Sequence, residues 1–200
     1  AFCGQELWAR VQELGSVNPP EVTAVQLNLL GSHDTPRLRT FCGGDLDSVR
    51  LATLLQMTLP GAPCIYYGDE IGMSGSADPE CRRAFPTDPA EWQREPYAWF
   101  ADLVALRHSS PALRDAELQL LAAEGSAIAY LRRASEDAFV VVANAGQEAL
   151  VWDVPLVSEA TAAEVVPLRG AAGEHAVEVV DGGLRVSLAG RDGMVARLRR

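Results

Sequence analysis

The stretch LNLLGSHDTPR, residues 27–37, is an apolar run that ends abruptly in Ser32, His33 and Asp34. With the VTAV segment before it, the span 22–30 reads as a short strand buried on both faces. A buried strand that finishes in groups costly to bury needs a reason. A mechanical reason is that the strand's end lies in a pocket. In parallel α/β folds, ligand-binding groups project from the carboxyl ends of the strands, and in a (β/α)8 barrel that face hosts the active site.

Working outward, the turn CGGD (42–45) offers Asp45 as a helix cap. LDSVRLATLLQMTLP (46–60) then carries the broad apolar face of a helix that stops at Pro60 and Gly61. APCIYYGDEIGM (62–73) reads as a second apolar strand, again ending in carboxylates, Asp69 and Glu70. Strand, helix, strand in that order predicts a βαβ unit with parallel strands, so both polar tips share one rim. After a polar loop over 74–95, PYAWFADLVALRHSS (96–110) predicts a helix ended by Pro111. Past about residue 115 the pattern changes to short apolar segments separated by Gly, Asp and Asn, and VEVVDGGLRVSL (177–188) is a hairpin signal. That spacing predicts an antiparallel β-sandwich. The expected organisation is α/β over 1–115 and all-β over 116–200.

Composition excludes several partners. The net charge is −10 and all seventeen basic residues are Arg, too few and too dispersed for a phosphate-binding surface, so neither nucleic acid nor an anionic membrane is expected. No apolar run reaches the ~20 residues of a membrane span. Cys3, Cys42, Cys64 and Cys81 are widely spaced with no CxxC, which predicts reduced thiols and a cytoplasmic setting. No metal-ligand cluster is evident and no cofactor is implied. FCGQELWARVQELG (2–15) opens in what reads as the middle of a helix, which predicts a chain that begins inside a larger protein.

Taken singly, the polar residues have bland readings. Asp34, Thr35 and Pro36 can simply cap a turn, His33 can be a satisfied core histidine, and Asp69 and Glu70 can be turn residues after Gly68. The complete string is more specific. LLGSHDTPR (29–37), followed by LPGAPCIYYGDEIGM (59–73) and then DPECRRAF (78–85), resembles the α-amylase family of glycoside hydrolases, in particular its neopullulanase, cyclomaltodextrinase and maltogenic-amylase group. The resemblance implies the C-terminal part of a (β/α)8 barrel, strands seven and eight with their helices, followed by the family's β-sandwich.

By the same resemblance, Asp34 is the family's third catalytic carboxylate. It neither attacks nor protonates, but holds sugar hydroxyls more tightly as the ring distorts toward the oxocarbenium-like transition state. His33 donates to a hydroxyl of the same sugar, and Asp78 with Arg82 clamps sugar further along the non-reducing side. For that last pair a surface salt bridge worth little is an equal alternative. Glu70 receives no catalytic role.

A retaining glycosidase also needs a nucleophile and a general acid roughly 5–5.5 Å apart. The family draws them from earlier barrel strands, and a whole barrel needs about 250 residues. The expectation is therefore a C-terminal portion of an α-1,4-glucan hydrolase, with α-1,6 cleavage left open, that is inactive alone. Its substrate would be an α-glucan oligosaccharide or cyclodextrin, and its unpaired strand edges would promote self-association. Two alternatives stand beside it: a glucanotransferase or sucrose-processing relative, and a non-catalytic carbohydrate-binding or assembly module. Against the last, the only aromatics after residue 115 are Tyr130, Phe139 and Trp152, each inside a strand-like run rather than on a sugar-stacking surface.

Overall fold

Two prolines shorten the first strand. Pro19 caps and Pro20 opens the short helix α2 (Pro20–Val25), in whose first turn the missing N–H of Pro20 is no loss. Only Leu27–Leu29 stay extended, as β1. The computed structural model describes residues 3–156, 160–171 and 173–199, and in it β1 is not buried on both faces as expected: Leu27 is 61% and Leu29 55% exposed. Pairing explains this. Among the described residues β1 has one strand neighbour, β2 (Ala62–Cys64), in parallel register with Leu27 opposite Ala62 and Leu29 opposite Cys64. Beside β1 lies an apolar groove of about 650 Å³, lined in part by Leu7, Trp8 and Val11 of α1 (Gly4–Val17). The second strand is also shorter than the 62–73 run: β2 ends at Cys64, and Gly68, at φ 88°, turns the chain into a single 3₁₀ turn at Asp69–Ile71.

Between β1 and β2 lie the short helix α3 (Leu38–Phe41) and α4 (Leu46–Thr58). Asp45 caps α4 as the sequence suggests, its side chain accepting from the Ser48 N–H at 3.3 Å. The other end of α4 is held by buried cations, which suit the negative end of a helix dipole. Arg107 of α5 (Arg94–Ser109) donates to the carbonyls of Met57 at 2.6 Å and Gly61 at 2.5 Å. Arg132 of β4 (Ala127–Arg133) donates to the Thr58 carbonyl and, at 2.9 Å, to that of Ala116, just beyond α6 (Pro111–Asp115).

The rest of the chain forms two antiparallel sheets. One has the order β3-β4-β5-β10-β7, with β3 Leu118–Glu124, β5 Ala138–Asn144, β7 Ala162–Val165 and β10 Asp192–Arg199. The other has the order β6-β9-β8, with β6 Leu150–Pro155, β8 Ala176–Val180 and β9 Gly183–Leu188. The β8–β9 hairpin turns at Asp181 and Gly182, as its DGG signal predicts.

Strand β5 reads AFVVVAN, apolar without alternation, because both of its faces are covered. Val140 and Val142 point into a core shared with Trp152, Val154 and Val186 of the smaller sheet. Phe139, Val141 and Ala143 point into a second core with Leu54 of α4, Trp99 and Leu103 of α5, and Leu113 of α6. The helices therefore pack directly on the five-stranded sheet, and the boundary region 111–116 is crossed by one continuous core. Gly193 of β10 marks how close that approach is: a Cβ there would sit 2.4 Å from Leu54 Cδ2. Tyr130, Phe139 and Trp152 are all core residues, at 0%, 0% and 9% exposure, which leaves none of them to stack on a sugar. The four cysteines are free thiols, and no helix among the described residues is long and apolar enough to cross a membrane.

Candidate active site

The turn after β1 builds itself from its own hydroxyls. The Ser32 N–H donates to Thr35 Oγ1 at 3.0 Å and the Asp34 N–H to Ser32 Oγ at 3.2 Å, a local pattern that fixes a tight turn without help from a sheet. It leaves the His33 and Asp34 side chains projecting from the strand's end, 64% and 68% exposed. The two are joined, His33 Nε2 lying 3.2 Å from Asp34 Oδ2.

A second loop closes on this turn from the far side of β2. A single 3₁₀ turn, Glu80–Arg82, follows Asp78 and Pro79 and aims Arg82 back at residues 33 and 34. Arg82 Nε donates to the His33 carbonyl at 3.0 Å and lies 3.2 Å from Asp78 Oδ1, while Nη2 reaches Asp34 Oδ1 at 3.4 Å. The Cys81 thiol also faces the His33 carbonyl, at 3.5 Å. All four residues singled out in the sequence, His33, Asp34, Asp78 and Arg82, thus form one contact chain. Asp78 and Arg82, which the family resemblance singles out, form an exposed ion pair, as the salt-bridge alternative also has it, and Arg82 additionally touches Asp34.

Glu70 does not join them. Its Oε2 accepts from the Gly68 N–H at 2.7 Å, so it serves the turn. Asp69 is different: it is buried, 6% exposed, and paired with the fully buried Arg37 at 3.5 Å. Sequence reasoning treated Asp69 as a turn residue and passed over Arg37. The available signal was a cation three residues after Asp34 and a carboxylate at the next strand's end, a pairing that only parallel register brings together.

Chemically, the exposed chain offers the Asp34 carboxylate, an imidazole, and a guanidinium with a second carboxylate. Such a set suits neutral ligands rich in hydroxyls, because carboxylates accept and Arg and His donate, and charge-assisted bonds are the stronger ones. A polar constellation at the carboxyl ends of parallel strands is the ligand-binding face of an α/β enzyme fold.

Comparison with known proteins specifies the family. A profile of the alpha-amylase catalytic domain matches residues 8–111. A cyclomaltodextrinase of Geobacillus thermopakistaniensis is 43% identical over 140 residues, covering 69% of this chain and 24% of that protein. Neopullulanase 2 of Thermoactinomyces vulgaris is 42% identical over 128 residues, covering 62% and 22%. The crystal structure of an acarbose-soaked debranching enzyme from Nostoc punctiforme superposes with a TM-score of 0.84 at 34% identity, covering 98% of this chain and 38% of that one. The chain belongs to the alpha-amylase family of glycoside hydrolases. It spans about a quarter of the length of these two curated relatives.

Proposed function

We propose that this chain is the C-terminal portion of a retaining α-glucan hydrolase of the neopullulanase and cyclomaltodextrinase type. In this reading residues 1–115 contribute strands seven and eight of a (β/α)8 barrel, β1 and β2, and residues 116–200 form the C-terminal β-sandwich. The substrate is an α-1,4-linked glucan or cyclodextrin, with α-1,6 linkages a second candidate. The single observation that supports the reading most is the contact chain from His33 through Asp34 and Arg82 to Asp78, at the ends of two parallel strands.

Asp34 acts by accepting hydroxyls. As the glycosidic bond breaks and the ring flattens toward an oxocarbenium ion, the sugar hydroxyls become better donors and the anomeric centre gains positive charge. A fixed carboxylate then binds the transition state more tightly than the ground state. The His33 imidazole donates to the same ring. Arg82 and Asp78 supply a donor and an acceptor for neighbouring hydroxyls. The Arg82–Asp34 contact, at 3.4 Å and on the surface, is weak enough for sugar to replace.

The nucleophile and general acid lie outside these residues, so the isolated chain turns nothing over. Incubated with cyclomaltoheptaose, maltotriose or pullulan, it should release no reducing sugar above a mock preparation, whereas the longer protein should hydrolyse at least one of them. Turnover by the isolated chain would overturn the placement of the missing groups. The open edge of β1 and the exposed Leu27 and Leu29 also favour self-association of the isolated chain. Light scattering should find species larger than 21.5 kDa; a monodisperse monomer would count against it.

A further inference from the structure

Arg37 and Asp69 form a buried ion pair that is poorly made. The Nη1–Oδ1 distance is 3.5 Å, and Arg37 Nε, Arg37 Nη2 and Asp69 Oδ1 are buried without a hydrogen-bond partner. Removing two charges from water costs several kcal/mol per ion, and imperfect geometry does not return it. As a stability device the pair is a bad one, so its use lies in where it sits.

It touches the Asp34 turn at both ends. On the near side, a Cβ built on Gly31 would lie 3.0 Å from Asp69 Oδ2, so this carboxylate packs directly against the start of the turn. On the far side, the Leu38 N–H faces Asp69 and favours its charge. Between them, the Arg37 guanidinium lies 4.5 Å from the ring centroids of both Tyr66 and Tyr67 and donates to the Tyr67 carbonyl, while the Arg37 N–H donates to Gly75 O at 3.0 Å. The loop after β2 therefore grips residues 31 and 37–38, and His33 and Asp34 ride on the span between.

We propose that Arg37 and Asp69 are positioning residues: together they brace the turn that carries His33 and Asp34 and set where the Asp34 carboxylate meets its ligand. The inference rests on reading Asp34 as a sugar-binding group, but the brace itself is measured without sugar.

The charge state of Asp69 supplies a handle. Burial pushes its carboxyl up to about 6, outweighing the pull of Arg37, and neighbouring Glu70 pushes the same way. The other titratable groups at the pair are the Tyr66 and Tyr67 phenols, with the Cys81 thiol beyond Tyr66. Because the folded value exceeds the ordinary 3.8, Asp69 favours folding below about pH 4, and that contribution is lost as pH rises through about 6. The brace is thus charged in the range where its charge opposes folding, as expected of a group kept for geometry.

The test is carbon and nitrogen NMR of the full chain between pH 4.5 and 7.5. Leu38 is the amide reporter, because its N–H faces the Asp69 carboxylate. The Asp69 Cγ and the Leu38 amide should share a midpoint of about 6. In Asp69→Asn the Leu38 titration should vanish, and amide exchange across residues 32–35 should quicken about tenfold while β4 and β5 are unchanged. Arg37→Lys, which keeps the cation but not the planar fit between two tyrosines, should quicken the same amides. Asp69 Cγ and the Leu38 amide titrating with different midpoints, or loop exchange in Asp69→Asn equal to wild type, would overturn the brace. Failure of the functional reading shows separately, as unchanged turnover in an Asp34→Asn enzyme.

Discussion

Trp99→Ala should cost about 3–5 kcal/mol of folding stability, a large part of what an ordinary domain possesses. Trp99 is 1% exposed in the core shared by α4, α5 and the five-stranded sheet. Truncation loses the transfer energy of a large ring and opens a void that helices anchored by Arg107 and Arg132 cannot easily close. It also strips a partner from Thr53, whose Oγ1 accepts the indole N–H at 3.0 Å. Since the core runs from the helices into the sheet, both should fail together. Urea titration followed by circular dichroism should show one transition displaced to much lower denaturant. Helices that melt ahead of an intact β signal, or an unchanged midpoint, would contradict this packing.

Asp34→Asn, made in the longer protein, should lower kcat by about 10²–10³-fold, with a smaller change in KM. The amide keeps the size and one acceptor oxygen but loses the charge that strengthens each hydroxyl contact and favours the developing cation. Its side chain is 68% exposed and takes part in no core, so the fold should be untouched. Circular dichroism identical to wild type, alongside the loss of turnover, separates chemistry from misfolding. Comparable kcat in the two proteins would remove Asp34 from the mechanism.

Much of this was legible in the residues. The strand–helix–strand order, the Asp45 cap and the β8–β9 hairpin rest on local signals, since caps and tight turns are decided by neighbours in sequence. The four candidate site residues could also be singled out, because they lie within two short motifs that carry the family resemblance. What escaped was non-local. The pattern over 22–30 is apolar enough for a buried strand, but burial depends on neighbours, and Pro20 converts the first half to helix. Arg107 and Arg132 look like surface cations until the carbonyl end of α4 is placed against them. Asp69 reads as a turn residue until parallel pairing sets it 3.5 Å from Arg37, thirty-two positions away in sequence.

The most direct check of the account is a crystal structure of the longer protein soaked with acarbose, the compound used with the Nostoc punctiforme relative. The account predicts ring hydroxyls within about 2.5–3.2 Å of the Asp34 carboxylate and the His33 imidazole, with Arg82 drawn from Asp34 toward the sugar. Acarbose seated in the groove beside Leu27, or anywhere that leaves Asp34 untouched, would contradict it.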